Sequence, residues 1–231
     1  MKRYYMFSDE IPCDTLDSLL HTHHLKNGAQ IQLCQRKELG IPFQLWTGAI
    51  VLSDYFERNT HLVQGAVVLE LGAGIGLLGL ILAKLGAHHV TMTDISAALP
   101  LLQRNICAND AESCCCASEL DWFSCVSGGQ LPSSVVSIQR TMEELPSAPL
   151  VLVGSDLVYW ESLFDPLIST LRLLFSVFPA STLYLGQCTR RRKNEGKFFK
   201  MISRIFRCSK LSECKVDSEK HPCRVFQIQS R

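Results

Sequence analysis

No stretch of the 231-residue chain approaches the roughly 18 uninterrupted apolar residues that a membrane-spanning helix needs. The two cations of the N-terminal MKRYYMFSDEIP are followed by no apolar segment of the secretory type, so the expectation is a soluble, intracellular protein. Neither sign of charge predominates. Lys and Arg number 23 against 22 Asp and Glu, a formal net charge of +1, and no strong field steers the molecule as a whole toward nucleic acid or an anionic membrane. Internal repeats and low-complexity tracts are absent too. The 11 cysteines contain no CxxC pair; their number is odd and Cys114, Cys115 and Cys116 are adjacent. That pattern argues against a secreted disulfide framework and for reduced thiols in the cytoplasm or nucleus. Cys208, Cys214, His221 and Cys223 cluster near the C-terminus, but their spacing matches no common zinc module and no metal is expected. His21, His23 and His24 fall in a polar segment read as a surface loop.

What is present is a large apolar fraction, 47%, enough for one sizeable core, arranged as alternating strand-like and helix-like segments. Such alternation predicts an α/β sheet covered by helices on both faces. Residues 16–26 read as a short helix, AQIQLCQR as a half-exposed strand, and WTGAIVLSDYFERN as an amphipathic helix starting near Trp46. Downstream, ALPLLQRNICAND is helical and ASELDW is a weak strand. Residues 123–149 read as a long Ser-, Gly- and Pro-rich loop with one helical turn at MEEL. PLVLVGSD and STLYLGQC are buried strands around the helix ESLFDPLISTLRLLF, and KFFKMISRIF and CRVFQIQ close the chain as helix and strand.

The strongest signal is GAVVLELGAGIGLLGLILAKLGAHHVTMTDI, residues 65–95. A β-branched strand, a glycine turn, a helix stopped at Gly86 and a second strand ending in Asp94 make one nucleotide-binding βαβ unit. Glycine spacing alone does not name the ligand, because Gly74, Gly76 and Gly79 satisfy GxGxxG while Gly72, Gly74 and Gly76 satisfy GxGxG. Glu70 does more. A carboxylate just before the loop suits a ligand with a free α-ammonium group, such as S-adenosylmethionine, and repels the pyrophosphate of a dinucleotide. Asp94 holds ribose hydroxyls in either class. Trp122 and Trp46 are placed to sandwich an adenine, although an isolated Trp is more often core packing.

LWTGAIVLSDYFERN, VLELGAGIGLLGLILAKLGAHHVTMTDI, QRNICAND, ELDW and GSDLVYW stand in the order seen in family 16 of the seven-β-strand methyltransferases, the methyltransferase-like protein-lysine methyltransferases. The chain resembles that family from about residue 28 to its end. The resemblance implies a single domain with residues 1–27 as an N-terminal extension and 28–231 as catalytic core. Its fold would be a Rossmann-like seven-stranded α/β sheet, mostly parallel, in the order 3-2-1-4-5-7-6 with the seventh strand antiparallel. It implies S-adenosyl-L-methionine as cofactor, held by Trp46, Gly72, Ala73, Gly74, Asp94, Trp122 and Ser155, and a protein substrate presenting a lysine, such as a chaperone or another intracellular complex. Neither membrane nor nucleic acid is among the implied partners. The chain departs from the family in a poor third strand (CCCASEL), a long 123–149 loop, a short final hairpin region and extra arginine in GQCTRRRKNEGKFFKMI.

In such a sheet the first and fourth strands are neighbours, so VLELGAG and VLVGSDLVY discharge side by side at the switch point where ligands bind. Methyl transfer is an in-line displacement that chiefly needs alignment and exclusion of water. Asp156 suits the guidance of a lysine ammonium. With an ordinary pKa of about 3.9 it is a poor base for an amine of about 10.4, which assigns it orientation rather than proton abstraction. Tyr159 is the second candidate catalytic residue, forming with Trp160 an aromatic wall for a methylammonium. Spacing alone leaves another reading open, in which Asp156 caps the following segment and Tyr159 packs in the core. RRRK at 190–193 reads as a solvated turn, or else as a basic rim for an acidic partner. The competing functions are a methyltransferase of RNA or a small molecule on the same fold and a non-catalytic cofactor-binding module. SDLVY is not the (N/D)PPY motif of base-amine enzymes, and Glu70 disfavours a nicotinamide oxidoreductase.

Overall fold

In a computed structural model, residues 19–126, 130–190 and 192–231 are described. The N-terminal extension up to residue 18 and Arg191 of the basic run lie outside them. The sheet has seven strands: β3 (Val67–Leu71), β4 (His89–Asp94), β5 (Cys115–Glu119), β6 (Leu150–Ser155), β7 (Thr182–Cys188), β8 (Arg207–Cys214) and β9 (Cys223–Gln229). They run in the order β5-β4-β3-β6-β7-β9-β8. β3 through β7 are mutually parallel, and β9 is inserted antiparallel between β7 and β8. This is the order and polarity that the resemblance implies.

Every residue of β3 is buried, as a central parallel strand covered on both faces must be. Its side chains alternate between two cores. Val68 packs with Leu52, Phe56, Leu78 and Leu102 under α1 (Thr47–Arg58), α2 (Leu77–Lys84) and α3 (Leu99–Cys107). Val67, Leu69 and Leu71 pack with Ile138, Leu171 and Phe198 under α4 (Ser133–Glu144), α5 (Phe164–Val177) and α6 (Arg192–Ile202). Burying a side chain such as Leu171 or Phe198 in this way contributes roughly 1.5–3 kcal/mol.

Several local expectations fall to long-range pairing. Residues 19–24 are not helical; they form β1 (Leu19–His24), antiparallel to β2 (Gln30–Gln35). Leu20 is 63% exposed, so the outward apolar residue hides the strand's period. The 123–149 segment is not a loop with one turn but contains the three-turn helix α4, with MEEL at its end. β5 begins at Cys115, ahead of ASELDW, and α6 begins at Arg192, ahead of KFFK. β8 is an added strand whose exposed, polar face carries no alternating pattern.

The thiols are not all reduced. Cys188 and Cys223 oppose each other as the last pair of the β7/β9 ladder and form a buried disulfide; a separation of 35 residues gives no local sign of it. Eight other described cysteines are free. Among the described residues no helix is long and apolar enough to cross a membrane.

Candidate active site

The carboxyl ends of β3, β4, β6 and β7 open on one edge of the sheet, each delivering functional residues there. β3 runs into Gly72–Gly76. Gly72 has φ +60°, and a Cβ on it would lie 2.8 Å from Leu157 and 3.4 Å from the Trp122 ring. Only glycine fits there, and the Trp122 indole closes over the turn. The loop is then fixed by its neighbours. Ala73 N donates to Thr93 O at 2.9 Å, and Gly74 N donates to Asp94 Oδ2 at 2.8 Å. Pro42, in a short 3-10 helix over Ile41–Phe43, sets its carbonyl 3.2 Å from where a Gly74 Cβ would sit. Asp94 also accepts the Ile95 N–H at 2.8 Å. Burial nevertheless pushes its carboxyl up to about 6, against the pull of those two bonds.

Asn105 adds a support absent from the sequence reading. Its amide accepts Cys34 N at 2.8 Å, donates to Cys34 O at 3.1 Å and donates to Ile75 O at 2.8 Å. One side chain thus ties β2 to the glycine loop.

Glu70 lies beneath the loop. It is 1% exposed, and its Oε2 lies where a Cβ on Gly79 of α2 would come within 2.6 Å. Desolvation pushes its carboxyl up to about 8, so it is mainly neutral at pH 7. It is thus buried against α2, near enough to Asp94 for that carboxylate to add to the upward push on its pKa.

Asp156, at the β6 exit, is one of two described non-glycine residues with positive φ, +52°, a conformation that Asp tolerates better than most. It is 7% exposed. Oδ2 accepts the Gly48 N–H at 2.8 Å and pairs with Arg190 Nη1 at 3.0 Å. Oδ1 accepts the Cys188 N–H at 2.8 Å, with Gln187 Nε2 at 3.5 Å. Burial raises the carboxyl's pKa, opposed by Arg190 and by the Cys188 and Gly48 amides. Trp46 gives α1 no side-chain cap. Asp156 therefore caps α1, 108 residues away in sequence, rather than the segment that follows it.

Arg190 lies exposed in the bend after β7, where the basic run reads as a solvated turn, yet its side chain is held. Its guanidinium stacks 4.8 Å from the Trp46 ring centroid and its Nη2 lies 3.0 Å from Glu219 Oε1. The same oxygen accepts Thr47 Oγ1 at 2.6 Å. Trp46 Nε1 is anchored on Ile41 O at 2.9 Å, so Trp46 faces Arg190 and Trp122 faces the glycine loop. Ser155 is half-buried at the end of β6. Tyr159 is half-buried and meets Trp160 edge-on at 5.3 Å between centroids, and Trp160 is 43% exposed.

Gly48, Gln187, Arg190 and Glu219 are the site residues that sequence reasoning missed. Gly48 alone had a local signal: glycine in the first turn of a helix is poor for helicity and marks a close backbone approach. A Cβ there would lie 2.6 Å from Asp156 Cγ.

A family model described as lysine methyltransferase matches residues 25–205. The chain belongs to the lysine methyltransferase family. EEF1A lysine methyltransferase 3 of Xenopus tropicalis is 28% identical over 212 residues, covering 90% of this chain and 86% of that protein. Protein N-lysine methyltransferase METTL21A of Mus musculus is 32% identical over 198 residues, with 84% and 80% covered. Among solved structures, P. horikoshii TYW2 in complex with MeSAdo has a TM-score of 0.54 at 15% identity, covering 92% of this chain and 72% of that one. A methyltransferase from Pyrococcus furiosus has a TM-score of 0.52 at 16% identity, covering 83% and 88%. These last two likenesses are of fold.

The protein is accordingly an S-adenosylmethionine-dependent lysine methyltransferase. Its residues fit that cofactor: a glycine cradle that side chains would fill, a carboxylate at the end of β4, and an indole over the turn.

Proposed function

We propose that the enzyme methylates the side-chain nitrogen of a lysine on an intracellular protein, guided to the β6 exit by Asp156. One observation carries this reading. A nearly buried carboxylate stands at the end of the strand beside the glycine loop, accepting two backbone amides and paired with a guanidinium, all three of which oppose the upward push of burial on its pKa. A carboxylate so held is an acceptor for an ammonium group and a poor base toward it, even with its pKa raised by burial.

Gly72, Ala73, Gly74, Asp94 and Trp122 would hold the cofactor, with Trp46 and Ser155 at its margins. S-adenosylmethionine, when bound, supplies an electrophilic methyl on a sulfonium. The chain's own work is to orient the incoming nitrogen through Asp156, face it with the Tyr159 and Trp160 rings, and exclude competing water. The compartment we assign is the cytoplasm or nucleus, in keeping with eight free cysteines among the described residues. A chaperone or another soluble complex is the class of substrate this reading favours.

The test is transfer of tritiated methyl from S-adenosylmethionine into a cell lysate, followed by protease or RNase. Label removed by protease supports the reading, and label that survives protease but not RNase contradicts it. Asp156→Asn should lower transfer at least about 100-fold, the scale of losing a group that aligns the reactants, while S-adenosylhomocysteine affinity changes by a few-fold at most.

A further inference from the structure

The four groups that hold Asp156 are not alike. Gly48 and Cys188 reach it through backbone amides. Gln187 is 2% exposed and itself fixed, its Oε1 accepting the Val158 N–H at 3.1 Å. Arg190 is the exception. Its side chain is 33% accessible against 4% for Asp156, and it follows the end of β7 without belonging to a strand or helix. It is also held at the same time by two other groups, the Glu219 carboxylate and the Trp46 ring.

A guanidinium and a lysine ammonium ask the same thing of a carboxylate. A second cation brought beside the Asp156–Arg190 pair meets repulsion from the arginine as well as attraction to the carboxylate, and in a site of low dielectric those nearly cancel. The arginine must leave for the carboxylate to act on an ammonium. Glu219 makes that exchange inexpensive, because Arg190 stays paired after letting go of Asp156, and Glu219 is itself anchored by Thr47.

We infer that Arg190 is a displaceable plug in the lysine-ammonium subsite: it pairs with Asp156 in the free enzyme and lets go of it, keeping its hold on Glu219 and Trp46, when a substrate lysine arrives. The inference rests on Asp156 being the ammonium-orienting residue. It gives Arg190 a positioning role, and it gives the enzyme a threshold against stray amines, since a ligand must supply enough additional contact to evict the arginine.

The probe is n-butylammonium, a lysine side chain without its backbone, used as an inhibitor of tritiated-methyl transfer into lysate protein. Arg190→Ala should lower its inhibition constant tenfold or more. Arg190→Lys, which keeps a cation beside Asp156, should leave it within about threefold of the unaltered enzyme, since a single charge can still occupy the subsite. In the double variant Arg190→Ala, Asp156→Asn, whose lost activity requires butylammonium binding to be read by calorimetry, the gain should vanish. Equal inhibition of the unaltered enzyme and Arg190→Ala overturns the plug, and weaker calorimetric binding of butylammonium to Asp156→Asn alone would then show that the carboxylate still binds the ammonium. A gain that survives Asp156→Asn overturns both, because the cation is then held elsewhere. Melting temperature with S-adenosylhomocysteine checks that each variant is folded. If Arg190→Ala is not, the guanidinium Nε–Hε resonance of Arg190 in the unaltered enzyme decides. It should shift in proportion to butylammonium occupancy, and a resonance unmoved at saturating inhibitor overturns the inference.

Discussion

Asp156 accepts a hydrogen bond from the Gly48 amide at 2.8 Å, tying the exit of β6 to the first turn of α1. The carboxylate assigned to the substrate is therefore also a helix cap, and chemistry and stability share one side chain.

A methyl group at position 48 has no room. Gly48→Ala would place Cβ 2.6–2.9 Å from the three carboxylate atoms of Asp156. It should destabilise the protein by about 1–3 kcal/mol, the usual cost of overpacking, and lower methyl transfer. Gly196→Ala is the contrast, because its Cβ meets nothing within 4 Å inside α6. It should stabilise by about 0.5–1 kcal/mol through helix propensity. Urea unfolding of both variants, read alongside activity, checks the pair.

Asparagine is not a silent replacement at 156. Both carboxylate oxygens accept from backbone N–H groups, whereas an amide has one accepting atom and would turn its NH2 toward Gly48 or Cys188. Asp156→Asn should cost about 1–3 kcal/mol, the penalty for a buried donor left without an acceptor. An unchanged urea midpoint would show that the two contacts contribute little to stability.

Glu70 sets a pH dependence with a definite sign. Its native carboxyl titrates at about 8, above the ordinary value, so the native state keeps a proton that the unfolded chain gives up. The stability from this group is full in acid and is lost as pH rises toward and through about 8. Asp94, at about 6, acts the same way at lower pH, and the buried Cys115 thiol, pushed up by desolvation, acts the same way at the alkaline end, so the difference between the unaltered enzyme and Glu70→Gln over about pH 6.5 to 8 reports Glu70. The urea midpoint should fall more steeply across that interval in the unaltered enzyme than in Glu70→Gln. A slope unchanged by the substitution would contradict a buried, neutral Glu70.

Asn105→Ala removes bonds to Cys34 N, Cys34 O and Ile75 O and leaves those backbone groups without their partner. A loss of about 2–4 kcal/mol is expected. Hydrogen exchange should show faster exchange at the Cys34 amide, and calorimetry should show S-adenosylhomocysteine bound several-fold more weakly, because Ile75 belongs to the glycine loop. Weakened stability with unaltered affinity would separate the β1–β2 hairpin from the cofactor site.

The central βαβ unit was legible in the sequence because its signals are local. A five-residue buried strand, a glycine turn and a helix bounded by Gly76 and Gly86 each announce themselves within a few positions. Where the fold is decided by pairing at a distance, local pattern misled or said nothing. Leu19–His24 is a strand because β2 pairs with it, and Arg207–Cys214 is a strand because β9 does. α4 buries only Ser134, Val135 and Ile138, too sparse an apolar stripe to stand out from a Ser-rich segment. The same division runs through the site. Asp94 and Asp156 follow strands and could be named, but the partners of Asp156 come from Gly48, Cys188 and Arg190, and those contacts exist only once α1, β6 and β7 meet. Glu70 was legible as a carboxylate next to the loop. Its direction was not, because a strand residue's face is fixed by what the helices cover.

The most direct test of the account is amino-acid analysis of the labelled protein after complete acid hydrolysis, with the unaltered enzyme and Asp156→Asn compared side by side. The expected result is that tritium co-elutes with Nε-methyllysines and is lost with the variant. Label in methylarginine or methylhistidine, or methyllysine formed equally well by Asp156→Asn, would contradict it.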